Sequence, residues 1–154
     1  MKSEESESIA KKWLLDMWGK PDLNLADTLV DPNYKPEWIH TDKMGPKLIK
    51  HEIQHFRSIF PDLKHKIIEI KGESNKVWVR YKVIGTHKGA GWGFQPTNNM
   101  VEFEVAAIFY ISKGKVIDLW ESFCFYDVFA KLGALPPFWE LHKYLTNYKS
   151  DQLS

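Results

Sequence analysis

Residues 100–125, MVEFEVAAIFYISKGKVIDLWESFCF, decide the fold. Met100 to Ile111 and Val116 to Phe125 are β-rich runs, and Lys113-Gly114 between them is a turn signal, so the stretch reads as a long β-hairpin. Both faces of these two strands are rich in apolar residues. Such a sheet is covered on one side by helices and encloses or pairs on the other. Working back from the hairpin, Lys76 to His87 is a further long strand. Gly72 to Asn75 is a turn, and Lys66 to Lys71 is a shorter strand before it.

The texture upstream is helical. Ile9, Trp13, Leu14, Met17 and Trp18 fall at helical spacing, and Gly19 and Pro21 end the run. Asn24 is placed to cap a short helix carrying Leu25, Leu29 and Val30. Pro46 suits the first turn of a third helix with Leu48, Ile49, Ile53, Phe56, Ile59 and Phe60 on its apolar side, stopped by Pro61. After the hairpin, Phe129 to Leu132 adds a helical turn before Gly133. Phe138, Leu141, Tyr144 and Leu145 then mark a last amphipathic helix behind Pro136-Pro137. Helices first, a meander of strands, then a helical tail is an α+β order with an antiparallel sheet. Its length of 154 residues suits one domain, with a core at about 9–135 and an extension at 136–154.

Composition excludes several classes. Net charge is +1 with both signs interspersed, so neither nucleic acid nor an anionic membrane is expected as a partner. No run approaches the ~18 apolar residues of a membrane span. Met1 to Ser8 is polar and acidic, unlike a secretory signal. Cys124 is the single cysteine, which fits a reducing compartment, and a cytoplasmic location is expected. The 14% aromatic content is the unusual feature: aromatics fill cores and also line pockets for flat apolar ligands.

Several residues could carry chemistry. His51-Glu52-Ile53-Gln54-His55 spells a zinc-protease pattern, but both histidines lie roughly 100 to 140° from the centre of the helix's apolar arc. They are expected to face solvent, and no metal is assigned to them. Gly89-x-Gly91-x-Gly93 runs from a strand toward Pro96 without a following helix. It therefore reads as a rim loop, with Trp92 and Phe94 able to close over a ligand, and not as a phosphate site. His87 and His40 end extended segments where an imidazole could serve as acid or base. By period 2, Trp120, Ser122 and Cys124 share one face of the last strand, and Glu121, Phe123 and Phe125 the other. Cys124, flanked by aromatics, reads as a buried neutral thiol, and Asp127 is the nearest carboxylate to it.

Phe60-Pro61-Asp62-Leu63, Arg80, Gly85-Thr86-His87-Lys88-Gly89, Gly93-Phe94-Gln95-Pro96-Thr97, Gly114-Lys115-Val116-Ile117, Trp120 and Leu132-Gly133 together resemble the SnoaL-like polyketide cyclases, a group that includes ester cyclases. His40 with Gly45 matches a further family segment, and the likeness runs from about Trp13 to Leu135. The resemblance implies a cone-shaped barrel of the nuclear-transport-factor-2-like and ketosteroid-isomerase-like kind, with N-terminal helices against a curved sheet and a pocket at the wide end. It also implies a homodimer and intramolecular aldol chemistry without metal or cofactor. In the family an Asp on the last strand carries the proton, four residues after the Trp and nine before the Gly. Both counts land on Cys124. A thiol titrates near about 8.5 against about 3.9 for Asp, so it is a poor substitute. Asn98 and Lys131 also depart from the family pattern.

Two functions of different class remain open on this reading. One is a cyclase, isomerase or lyase acting on an apolar carbonyl compound, with His87, His40 or Asp127 moving the proton. Arg80, Trp92, Phe94, Trp120, Ser122 and Cys124 would then contact the substrate. The other is a non-catalytic small-molecule-binding module.

Overall fold

The computed structural model describes residues 2–145. Helix α1 (Ser3–Lys11) starts earlier than the apolar spacing suggests. Glu4 and Glu5 sit in its first turn, where carboxylates meet the positive end of the helix dipole. The Glu7 carboxylate accepts the Gly72 N–H at 2.9 Å, tying the helix to the sheet. From Lys12 to Trp18 the backbone widens into a π-helix, ending with the Gly19 N–H on the Leu14 carbonyl. Sequence periodicity reads this stretch as ordinary α-helix. The i→i+5 bonding instead brings residues five apart toward one face, so Trp13 and Trp18 both look inward.

Helix α2 (Leu25–Leu29) is short, and Asn24 makes no side-chain cap bond. Helix α3 (Gly45–Ile59) buries Leu48, Ile49, Ile53 and Ile59. Gly45 opens it at φ +60°, donating its N–H to the Tyr34 carbonyl at 2.7 Å. A Cβ there would stand 2.6 Å from the Pro32 carbonyl oxygen, so glycine lets the two turns close on each other.

Strands β1 (Lys64–Glu73), β2 (Lys76–Thr86), β3 (Met100–Ser112) and β4 (Lys115–Ser122) form one antiparallel sheet in sequence order. The register slips between Ile67 and Glu69 and between Tyr110 and Ile111; bulges of this kind bend and twist a sheet. The sheet is open and curves as a cone around the helices. Its inner face carries Val77, Val79, Tyr81 and Val83 of β2 and Val101, Phe103, Val105 and Phe109 of β3, all buried. Trp13 meets Tyr34 and Phe109 edge-on at 5.6 and 5.8 Å, joining helix, loop and sheet in one core.

Helix α4 (Phe125–Lys131) begins three residues after β4 stops. The tail makes a 3-10 turn (Phe138–Glu140) and helix α5 (His142–Leu145), where Phe138, Trp139, Tyr144 and Leu145 are exposed. The rest of the expected extension, 146–154, lies outside the described residues. Among the described residues, no helix is long and apolar enough to cross a membrane.

Candidate functional site

A cavity of about 500 Å³ opens between the helices and the inner face of the sheet. Trp13, Leu14 and Trp18 come to it from the first helix and Tyr34, Trp38 and Ile39 from the following loop. Ile49, Glu52, His55 and Phe56 of α3 form another wall. The sheet supplies His65, Tyr81, Val83, Phe103, Leu119 and Glu121. Trp92, Phe123 and Phe125 stand at loops and strand ends.

The polar groups in this apolar space are few and connected. The Tyr81 hydroxyl donates to a Glu121 carboxylate oxygen at 2.7 Å. Burial raises the Glu121 carboxyl above its ordinary range, and the Tyr81 hydrogen bond offsets this only in part. Tyr81 is pushed well up by burial and by the neighbouring Glu121 charge. Tyr34 is also pushed well up, by burial first and then by Glu121, Asp118 and Glu52. Both phenols therefore stay protonated and act as donors. His65 stacks on Trp18 at 5.9 Å, and burial lowers it to about 4 in spite of its hydrogen bond to the Leu14 carbonyl. It is a neutral imidazole at pH 7.

Arg57 of α3 fixes the wall behind His65. Its Nη2 donates to the carbonyls of Trp18, Gly19 and Leu63 at 2.6, 2.8 and 2.9 Å, and its Nη1 to that of Pro61 at 3.2 Å. The 88–99 loop is fixed at its base. A Cβ on Gly89 would stand 1.9 Å from the Ser58 carbonyl oxygen, so only glycine passes there. Trp92 is then held edge-on to Phe60 and Phe129 at 5.3 and 5.2 Å and reaches the cavity.

The structure distributes the residues singled out in the sequence unevenly. Trp92 lines the cavity, whereas Phe94 packs beside it on His87 and Phe129. His87 is fully buried outside the cavity lining. Its Nδ1 accepts the Thr97 N–H at 3.1 Å, so the ring closes the glycine-rich loop on itself. His40 is exposed, and Asp127 is exposed and paired with Lys131 at 2.9 Å. Arg80 points to the outer face, bonded to Glu69 and Glu104 at 3.0 and 3.1 Å, and shares a shallow outer groove with Trp120. Ser122 is exposed as well.

Cys124 needs the fullest correction: it is exposed, not buried. The strand ends at Ser122, and Cys124 is the residue that precedes α4, so it no longer follows the strand's alternation. The inner face belongs to Leu119 and Glu121, with Phe123 after them. Of the two histidines expected to face solvent, His51 does and His55 does not. His55 lies one turn from Glu52, beside Ile49 and Phe56, on a stripe that borders the cavity, while His51 is exposed. Among the described residues, no group of three His, Cys, Asp or Glu is arranged to hold a metal ion.

Period-2 alternation already puts Glu121 on the same side as Phe123. A carboxylate set between Leu119 and Phe123 on one face was the available signal for it. Tyr34, Tyr81 and His65 carried none, because each comes from a different element.

An open, cone-like antiparallel sheet wrapped on N-terminal helices, with a cavity between them, is the α+β architecture of the ketosteroid-isomerase-like and nuclear-transport-factor-2-like proteins. The chain belongs to the SnoaL-like polyketide cyclase family, whose sequence pattern matches residues 8–132. Among solved structures it is similar to TsrD from Streptomyces laurentii, with TM-score 0.79, 18% identity, and 88% of this chain and 99% of that one covered. It is also similar to a SnoaL-like polyketide cyclase from Agrobacterium tumefaciens, with TM-score 0.70, 17% identity, and 86% and 100% covered. A third is a protein of ketosteroid-isomerase-like fold from Catenulispora acidiphila in complex with trimethylamine, with TM-score 0.66, 14% identity, and 82% and 93% covered. No curated protein matches the chain.

Proposed function

We propose that the protein is a small-molecule enzyme that moves a proton beside a carbonyl group, with Glu121 as its acid and base. One observation carries the reading: a carboxyl held by Tyr81 inside an apolar cavity and raised above its ordinary range by burial. A carboxylate in that setting is a stronger base than one in water, and its protonated form survives long enough to return the proton. Family membership supports the same class of chemistry.

The steps follow from the groups present. The Glu121 carboxylate removes a proton from the carbon beside the carbonyl, leaving an enolate and a neutral carboxylic acid. Tyr34, whose hydroxyl has no hydrogen-bond partner among the described residues, donates to the enolate oxygen. In a ring closure the enolate carbon attacks a second carbonyl of the same molecule, and the new alkoxide takes the proton back from Glu121. The aromatic walls hold the substrate flat and exclude water.

The test uses 2-tetralone, a flat bicyclic ketone, in D2O. Wild-type protein is expected to speed deuterium uptake at C1, and Glu121→Gln to lower that rate at least about 100-fold. An unchanged rate in Glu121→Gln removes the role. No exchange in the wild type returns the protein to the non-catalytic binding class.

A further inference from the structure

The charged side chains that line the cavity are all of one sign, and Arg57 behind His65 is turned to the carbonyls of Trp18, Gly19 and Leu63. Glu52 and Glu121 line it, and no Lys or Arg does among the described residues, although the chain carries 21 basic and 20 acidic side chains. The imidazoles in the lining are His65, neutral at pH 7, and His55, and the phenols of Tyr34 and Tyr81 stay protonated. Both carboxyl-bearing residues line the same cavity as Tyr34. Around them stand ten Trp, Tyr and Phe residues. Trp18, Trp38 and Trp92 are among these, and indole has the most electron-rich face of the side chains.

An anionic ligand would meet two carboxylates and no cation among the lining side chains, in a space of low dielectric. A neutral ligand would leave the Glu52 charge without a partner among the described residues, since no ion pair or hydrogen bond fixes its carboxyl there. A cation would be attracted by both carboxylates and by the ring faces together.

We infer that the ligand of this cavity is an apolar molecule bearing a protonated or quaternary amine, held between the aromatic walls with Glu52 and Glu121 as counter-charges. This rests on the cavity assigned above as the substrate site and narrows its substrate to carbonyl compounds that carry a basic or permanently charged nitrogen. Glu52 is the specificity-determining residue: it lies at the cavity and has no place in the proton transfer.

The test compares two molecules of one shape. Benzyl(2-hydroxyethyl)dimethylammonium and 3,3-dimethyl-4-phenylbutan-1-ol differ in a nitrogen cation for a carbon. Both are titrated into the full chain at pH 8, where ordinary imidazoles are neutral. The cation is expected to bind at least about tenfold tighter than its isostere, and Glu52→Gln to weaken the cation several-fold while leaving the isostere unchanged. Equal affinities, tighter binding of the isostere, or no binding of the cation overturn the inference. So does a Glu52→Gln variant that loses both ligands equally. The tetralone exchange involves no cation, so it keeps the two readings apart. Exchange without a cation preference sinks this inference alone, and a cation preference with no exchange of either 2-tetralone or a 2-tetralone bearing a trimethylammonium group sinks the catalytic role alone.

Discussion

His65 offers a measurement of the cavity wall that needs no substrate. Its ring is stacked on Trp18 and tilted against Tyr81 at 5.0 Å, and burial holds it near pKa 4 against about 6.5 in an unfolded chain. The folded value lies below the unfolded one. The stability this group confers is therefore present above pH 6.5 and lost as the pH falls toward 4, because the unfolded chain gains a proton that the native state refuses. Each unit is worth about 1.4 kcal/mol, and between pH 7 and pH 5 about 1.5 units of the gap are crossed. Wild-type protein should lose about 2 kcal/mol over that interval through this one ring. His65→Phe keeps an aromatic in the stack and cannot titrate. It begins from a lower baseline, since the bond to the Leu14 carbonyl is gone, but its stability should fall by about 2 kcal/mol less between pH 7 and pH 5. Urea unfolding at the two pH values, with tryptophan fluorescence as the signal, gives the four free energies. Parallel pH dependence in the two proteins would refute a buried, neutral His65.

Further outcomes follow from the same geometry. The tetralone exchange rate should rise with pH through a midpoint above the ordinary glutamate range, as the raised carboxyl of Glu121 ionises; a midpoint at or below that range contradicts a buried base. Arg57→Ala should cost about 3 kcal/mol in urea unfolding, because one guanidinium serves four carbonyls that join the first helix to β1. Trp92→Ala should cost about 3 kcal/mol and increase proteolysis within residues 88–99, since the ring is what fastens the loop to Phe60 and Phe129. Cys124→Asp should change stability by less than about 0.5 kcal/mol and leave tetralone exchange as it was, and the native thiol should react stoichiometrically with an aromatic disulfide reagent.

Much of the architecture is local and therefore legible. Alternation over Lys76–Thr86 and Met100–Ser112 gives two strands whose inner faces hold every second residue, and Lys113-Gly114 fixes the turn that joins β3 to β4. Pro46 and Pro61 bracket α3 for steric reasons that act within one turn. The π-helical widening at Lys12–Trp18 left no trace in the periodicity, because Trp13 and Trp18 suit either geometry. Their common direction depends on what they pack against.

The site divided differently. Sequence placed Glu121 correctly beside Phe123 and opposite Trp120, but two spacing anchors drew attention to Cys124, three residues further along. Alternation holds only while the chain stays extended, and β4 ends at Ser122 so that α4 can begin at Phe125. Where a strand stops is decided by its neighbours: Ala106 of β3 pairs with Ser122, and nothing pairs with Cys124. By itself, the sequence determined the α+β order, the meander and the family, because those reside in residues close along the chain. Only the tertiary structure decided which carboxyl is buried. Glu52, Tyr34, Tyr81 and Glu121 lie on four separate elements, and desolvation is a property of the space they enclose together.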